Sequence, residues 1–280
     1  MTPLSAEPFA EPMARFDWQP DVEGFGGLSG LEVSEDGTHF VAVSDDGTLY
    51  RGSLVRDETH ALHDAVLDDV TPLVIEDGTR PDHKRFRDME GLALSADGTL
   101  HISAEHNPRI LSYANLTETP DASPLPNLTT NSPRNVGYEA FALSRKGALV
   151  VMREGSNNIR APFDIFKKSP DGTWNTIYKL PRRGGFRPVG ADFGPDGNLY
   201  ILKRVFNGFG FTIRIERVLF EDDTPTQHEH LFEGRFGEFD NLEGLSVWRD
   251  PQRHIRLLGI SDDNFSRLQS TIIVEFLVQE

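Results

Sequence analysis

The sequence predicts an all-β protein: a single β-propeller of five four-stranded blades. Three observations point there. A strand-turn-strand unit recurs five times, its spacing is near 50 residues, and helical periodicity is weak throughout.

Each unit has a short apolar run, a turn and a second apolar run. The first runs are Leu28-Ser29-Gly30-Leu31-Glu32-Val33, Glu90-Gly91-Leu92-Ala93-Leu94, Glu139-Ala140-Phe141-Ala142-Leu143, Val189-Gly190-Ala191-Asp192-Phe193 and Glu243-Gly244-Leu245-Ser246-Val247. The turns align at Asp36, Asp97, Lys146, Asp196 and Asp250, at separations of 61, 49, 50 and 54 residues. Four of these turns end in Gly and three read Asp-Gly, the tight-hairpin signal. Apolar runs follow each, from Phe40-Val41-Ala42-Val43 to Leu257-Leu258-Gly259-Ile260. A repeat of this length holds four strands, the size of a propeller blade. In the fourth repeat the strands are expected at 189–193, 198–204, 212–219 and 227–233. The first strands are rich in Gly and Ala, as crowding around a central channel requires.

The fifth repeat runs out after a third strand at 271–278. The stretch Ala14-Arg15-Phe16-Asp17-Trp18 is therefore expected to supply its outer strand, closing the ring and removing its edges. The alternative is six blades, one hidden in the long first interval. Residues 117–136, with four prolines among Ser, Thr and Asn, read as a long loop.

Composition limits the function. The 280 residues carry a net charge of −16, which disfavours nucleic acid and anionic membranes as partners. With no cysteine, thiol catalysis, thiolate metal sites and disulfides are excluded. No apolar run approaches the roughly 18 residues of a membrane span. The first dozen residues have no apolar core, so no signal peptide is visible, and the compartment stays open. One domain over 1–280 and a monomer are expected.

In a propeller, first strands begin and second strands end on one face, while the hairpin turns lie on the other. Three first strands open with a carboxylate at the same register: Glu90, Glu139 and Glu243. The second strands end at Asp45 and Asp46, Glu105 and His106, Arg153 and Glu154, Lys203 and Arg204, and Asp262, Asp263 and Asn264. The connections add Lys84, Arg85, Arg87 and Asp88; Asn135; Arg182, Arg183 and Arg187; and Asp240 and Asn241. Crowded carboxylates repel one another unless they are protonated, paired or bridged by a cation. Ca²⁺, with six to eight oxygen ligands, would satisfy them and could activate water or polarise an ester. The competing expectation is a structural staple, with the carboxylates bonded to amides and to arginines of neighbouring blades. Glu32 and Asp192 point the other way and are expected to join blades.

At these residues the chain resembles the bacterial phytase-like propeller family, described by an esterase-like activity of phytase. The carrying motifs are Gly26-Gly27-Leu28-Ser29-Gly30-Leu31, Ser44-Asp45-Asp46-Gly47, Asp88-Met89-Glu90-Gly91-Leu92-Ala93, Gly137-Tyr138-Glu139-Ala140, Asn241-Leu242-Glu243-Gly244-Leu245 and Ser261-Asp262-Asp263-Asn264-Phe265. The resemblance spans about residues 22–278. It implies a secreted or periplasmic, calcium-binding propeller that hydrolyses esters or phosphoesters. By motif match, Glu90, Glu139, Glu243, Asp45 and Asp262 would be its site carboxylates. The short chain, with no export signal visible, argues against phytate itself.

The expectation is therefore a metal-dependent hydrolase of phosphoesters or simple esters. Glu90, Glu139, Glu243, Asp45, Asp262 and Asp263 would hold Ca²⁺, and Arg85, Arg87, Arg153, Lys203 and Arg204 would orient an anionic group. Glu105, His106 or Glu154 would serve as base. The alternatives are a calcium-dependent lactonase and a non-catalytic binding platform. Arg183-Gly184-Gly185-Phe186-Arg187-Pro188 lacks the nucleophilic His of the acid phosphatase motif it suggests. His228 and His230 share one face of an outer strand, where solvent is the expected neighbour. Asn207-Gly208-Phe209-Gly210-Phe211 is expected to be an aromatic loop on the polar-rich face, bordering a substrate.

Overall fold

The computed structural model describes residues 7–126, 137–155, 158, 160–266 and 268–280. The expectations that fall on Asn135 and on residues 127–136 of the long loop lie outside them. Among the described residues, twenty strands form five four-stranded antiparallel sheets, and the one helical turn is 3₁₀, at Lys84–Phe86. No described helix is long and apolar enough to cross a membrane.

Blade one is β2 (Leu28–Val33), β3 (His39–Ser44), β4 (Thr48–Arg56) and β5 (Leu62–Pro72). Blade two is β6 (Met89–Leu94), β7 (Leu100–Ala104), β8 (Arg109–Tyr113) and β9 (Asp121–Pro124). Blade three is β10 (Ala140–Leu143), β11 (Leu149–Met152), β12 (Phe163–Lys168) and β13 (Trp174–Leu180). Blade four is β14 (Arg187–Phe193), β15 (Leu199–Phe206), β16 (Phe211–Glu221) and β17 (Thr224–Glu233). Blade five is β18 (Leu242–Arg249), β19 (Ile255–Ser261), β20 (Ile272–Gln279) and β1 (Phe9–Asp17).

The N-terminal strand thus closes the ring: β1 pairs with β20 from Phe9↔Gln279 to Asp17↔Ile272. No sixth blade occupies the long first interval. Its extra residues lie in the 11-residue β5 and in the connection that carries the 3₁₀ turn. One expectation needs correction. The segment 117–136 is not all loop, because Asp121–Pro124 forms β9. Four residues with no β-branched side chain give little strand signal, and Pro124 is tolerated because β9 is an edge.

The small residues after each inner-strand carboxylate have a packing reason. A Cβ on Gly91 would stand 2.8 Å from the Glu139 carbonyl, and one on Gly190 would stand 2.3 Å from the Glu243 carbonyl. Neighbouring inner strands therefore touch backbone to backbone, and only about 10 Å³ of free volume remains between them. The channel is packed shut, so chemistry belongs at its mouths. Apolar clusters fill the wedges between blades, as where Val189, Tyr200 and Leu202 of blade four meet Leu245, Val247 and Phe276 of blade five.

At the turn-side end, Glu32 and Asp192 join blades as expected. The Ser246 hydroxyl lies 3.4 Å from Glu32 Oε2 and 3.3 Å from Asp192 Oδ2. The Val247 amide donates to Asp192 at 2.7 Å, and the Leu94 amide donates to Glu32 at 3.3 Å. Burial raises the pKa of Asp192 to about 7, and burial with repulsion from Asp192 raises that of Glu32. Folding thus tightens proton binding here. The stability this provides is present in full near pH 4 and declines as the pH rises through about 7. A tenfold change in proton affinity is worth about 1.4 kcal/mol. Glu32→Gln removes one of the two charges and is expected to gain on the parent by about 1 kcal/mol between pH 5 and 8. Thermal melts across that range check it, and a pH-independent difference would refute the raised proton affinity.

Candidate functional site

The other mouth is built from the starts of the inner strands and the ends of β3, β7, β11, β15 and β19. A bulge lies between Met89 and Leu92 in blade two and between Leu242 and Gly244 in blade five. It lets Glu90 and Glu243 leave the regular ladder.

Arg204 organises the mouth. Its Nη1 lies 2.5 Å from Glu243 Oε1 and also donates to Asn241 Oδ1, while Nη2 lies 3.9 Å from Glu139 Oε2. Asn241 Nδ2 donates to Glu243 at 2.7 Å. Burial works against the guanidinium, yet Glu243 and Glu139 outweigh it and raise its pKa. The arginine staple expected as the competing reading is therefore present, but it serves only part of the ring.

The remaining carboxylates are in surplus. Among the described residues, Glu90, Glu105 and Asp262 have no ion pair with Lys or Arg. Burial and repulsion from Glu139 and Glu243 push Glu90 well above the usual carboxylate range. Burial and repulsion from Glu154 do the same to Glu139. Burial and repulsion from Glu243 push Asp262 to about 8, and burial with repulsion from Asp88 pushes Glu105 to about 7. Glu139 Oε2 and Asp45 Oδ1 are buried without a hydrogen-bond partner.

The structure brings some of the expected residues together and not others. Asp45 lies here, 2.5 Å from Lys84 Nζ. Asp263 accepts from the amides of Gly27 and Phe265, both at 3.0 Å, and so ties blade five to blade one. Gly26, at φ +140°, makes room for that contact: a Cβ there would stand 2.6 Å from Asp263 Oδ1. Arg87 is held by Asp46 and by the carbonyls of Pro81 and Asp82. Arg85 is exposed, its guanidinium 4.8 Å from the Phe86 ring centre. Arg153 lies 5.9 Å from the Tyr138 ring centre, with Nε and Nη2 buried and unpartnered. Lys203 is not at the mouth. It is 1% exposed, inside blade four, 2.6 Å from Glu216. Strand alternation turns Lys203 into the sheet interior beside an Arg204 that faces the mouth.

The ligand atoms of Asp88, Glu105 and His106 lie within 4.8 Å of one another, the convergence a metal ion needs. His106 Nδ1 is 3.3 Å from Asp88 Oδ2. Among the described residues, Glu90, Glu139 and Glu243 do not converge in that way, and Arg204 contacts both Glu139 and Glu243. Sequence reading placed Asp88 among the polar connections but not among the ligands. Its position two residues before the register carboxylate Glu90 was the available signal.

Beside Arg204 opens a cleft of about 930 Å³. Its lining includes Glu154, Arg187, Arg204, Phe206, Phe209, Phe211, Asp240 and Leu268. Glu154 lies 3.2 Å from Arg187.

A search of curated proteins finds no match. Among solved structures, the chain is similar to the PQQ-bound aldose sugar dehydrogenase of Streptomyces coelicolor, at 13% identity and a TM-score of 0.55, covering 98% of this chain and 99% of the other. It is also similar to regucalcin of Agrobacterium tumefaciens, a calcium-binding protein, at 12% identity and a TM-score of 0.49, with 90% of each chain covered. At such identities only the propeller fold is shared. The sequence model of the phytase-like family, described as esterase-like activity of phytase, matches residues 23–265. With most of its length matched, from the first inner strand to the Asp262-Asp263 turn, the chain belongs to the phytase-like family.

Proposed function

We propose that the protein is a metal-assisted hydrolase of simple esters or phosphoesters, working at the carboxylate mouth. The observation that carries this reading is the surplus of carboxylate beside a cleft of substrate size. Carboxylates with raised pKa values and orphaned oxygens are held ready for a proton or a cation.

The donor chemistry fits a divalent cation. Asp88, Glu105 and His106 would hold it, with the Glu90 carboxylate close enough to repel both Asp88 and Glu105. Calcium, the ion the resemblance implies, would draw on that third carboxylate for its larger oxygen demand. Such an ion supplies Lewis acidity to an ester or phosphoryl oxygen. The chain's own groups do the rest. Glu154 lines the cleft and accepts the proton of the attacking water, and Arg187 keeps it oriented. Arg204, fixed by Glu243 and Asn241, sets a positive charge against the developing oxyanion. A lactone is an internal ester, so a calcium-dependent lactonase is the same arrangement with a cyclic substrate.

The test is turnover of an aryl phosphate, an aryl ester and a lactone, each in chelator and with added Ca²⁺ or Mn²⁺. At least one is expected to need the ion, and Glu105→Gln is expected to lower that ion-dependent rate about 10–100-fold with the fold kept. No turnover of any substrate, with a melting temperature indifferent to chelation, would leave a binding platform with structural carboxylates.

A further inference from the structure

We propose that the cleft beside Arg204 selects substrates with an aromatic or similarly flat apolar group, and rejects polyanions; this rests on the reading of the mouth as an ester hydrolase.

Part of the cleft lining is apolar. Val205, Phe206, Phe209, Phe211 and Leu268 line it. Three of these are unusually bare for large apolar side chains: Phe206 is 60% exposed, and Phe209 and Leu268 are each 95% exposed. Scattered apolar residues on a surface need no account, but several converging on one concavity next to polar groups do.

All of these apolar side chains but Leu268 come from a local extension of blade four. Its second and third strands run to 8 and 11 residues, against 4 and 6 in blade three. The β15–β16 ladder continues to Phe206↔Phe211, and Gly208 at φ +95° helps turn the chain between them. The Phe206 and Phe211 rings stand 5.0 Å apart, and the Arg204 guanidinium lies 5.5 Å from the Phe211 ring centre. Aromatic surface therefore extends from Arg204 through Phe211 to Phe206.

The charges in the cleft argue against a polyanion. Its two arginines are already engaged, Arg204 by Glu243 and Arg187 by Glu154. Glu154 and Asp240 add two carboxylates to the lining. Several phosphates would need free cations that these residues do not offer. A flat apolar group needs none: it covers the bare phenylalanines and leaves its ester bond at the Arg204 end.

The test pairs turnover with binding. For the wild type, kcat/KM is measured on 2-naphthyl acetate, trifluoroethyl acetate and phytate, and 2-naphthoate binding is followed by calorimetry. The same is done for Phe209→Ala and for Phe206→Ala/Phe209→Ala, whose folding is checked by circular dichroism. The expected result is 2-naphthoate binding that weakens about tenfold in the double variant, with a similar fall in the ratio of naphthyl to trifluoroethyl turnover. A preference for phytate, or naphthoate binding and ester selectivity unmoved by both variants, overturns the inference. Naphthoate binding that needs the phenylalanines, with no ester turned over, supports the ligand class and overturns the hydrolase reading instead.

Discussion

Arg204→Met is expected to cost the protein about 3–5 kcal/mol at pH 8 and much less at pH 5. Among the described residues, the guanidinium is the one basic group that contacts two of the inner-strand carboxylates, Glu243 at 2.5 Å and Glu139 at 3.9 Å. Both carboxylates are already raised in pKa by burial. Removing the cation raises them further. A carboxylate raised in the folded state binds its proton more tightly there than in the unfolded chain, so stability falls as the pH climbs above the ordinary carboxylate range. At pH 5 protonation replaces the missing charge, and at pH 8 it does not. Urea unfolding at the two pH values reads the difference directly. An equal loss at both would mean that Arg204 acts through packing rather than charge. Arg204→Lys is expected to recover only part of the loss, since one ammonium cannot span Glu243, Asn241 and Glu139 as a planar fork does.

The architecture was readable because each blade repeats one demand. Inner strands that meet backbone to backbone need Gly or Ala at a fixed register, and tight hairpins need Asp-Gly. Both leave marks at constant spacing, as at Gly91 and Gly190 or at Asp97-Gly98 and Asp196-Gly197. The short edge strand β9 leaves no such mark, because it pairs along only one side, with β8. The mouth was legible as a place but not as a set of contacts. Register brought Glu90, Glu139 and Glu243 to one end, yet it could not say that Arg204 would take up Glu243 and Glu139. Nor could it show that Asp88, Glu105 and His106, from a connection and a strand end, would converge instead. Those outcomes depend on rotamers and on bulges such as that between Met89 and Leu92.

Lys203→Met sorts substrate handling from structure in the same strand, and it is expected to destabilise the protein by about 3 kcal/mol. Lys203 and Arg204 are adjacent cations at the end of β15, and sequence reading assigned both to an anionic substrate. Alternation sends them opposite ways. Lys203 is sealed against Glu216 at 2.6 Å, with Arg214 3.8 Å from the same carboxylate and the Phe163 ring centre 5.4 Å from the ammonium. Burial lowers the Lys203 pKa while Glu216 opposes that shift. Losing the ammonium leaves the carboxylate in low dielectric with one distant cation. The double variant Lys203→Met/Glu216→Leu removes both charges and is expected to return to within about 1 kcal/mol of the parent. The cycle is measured by urea unfolding, with substrate KM followed beside it. If Lys203 oriented a substrate, the single variant would raise KM and leave unfolding alone; burial against Glu216 predicts that unfolding is what moves.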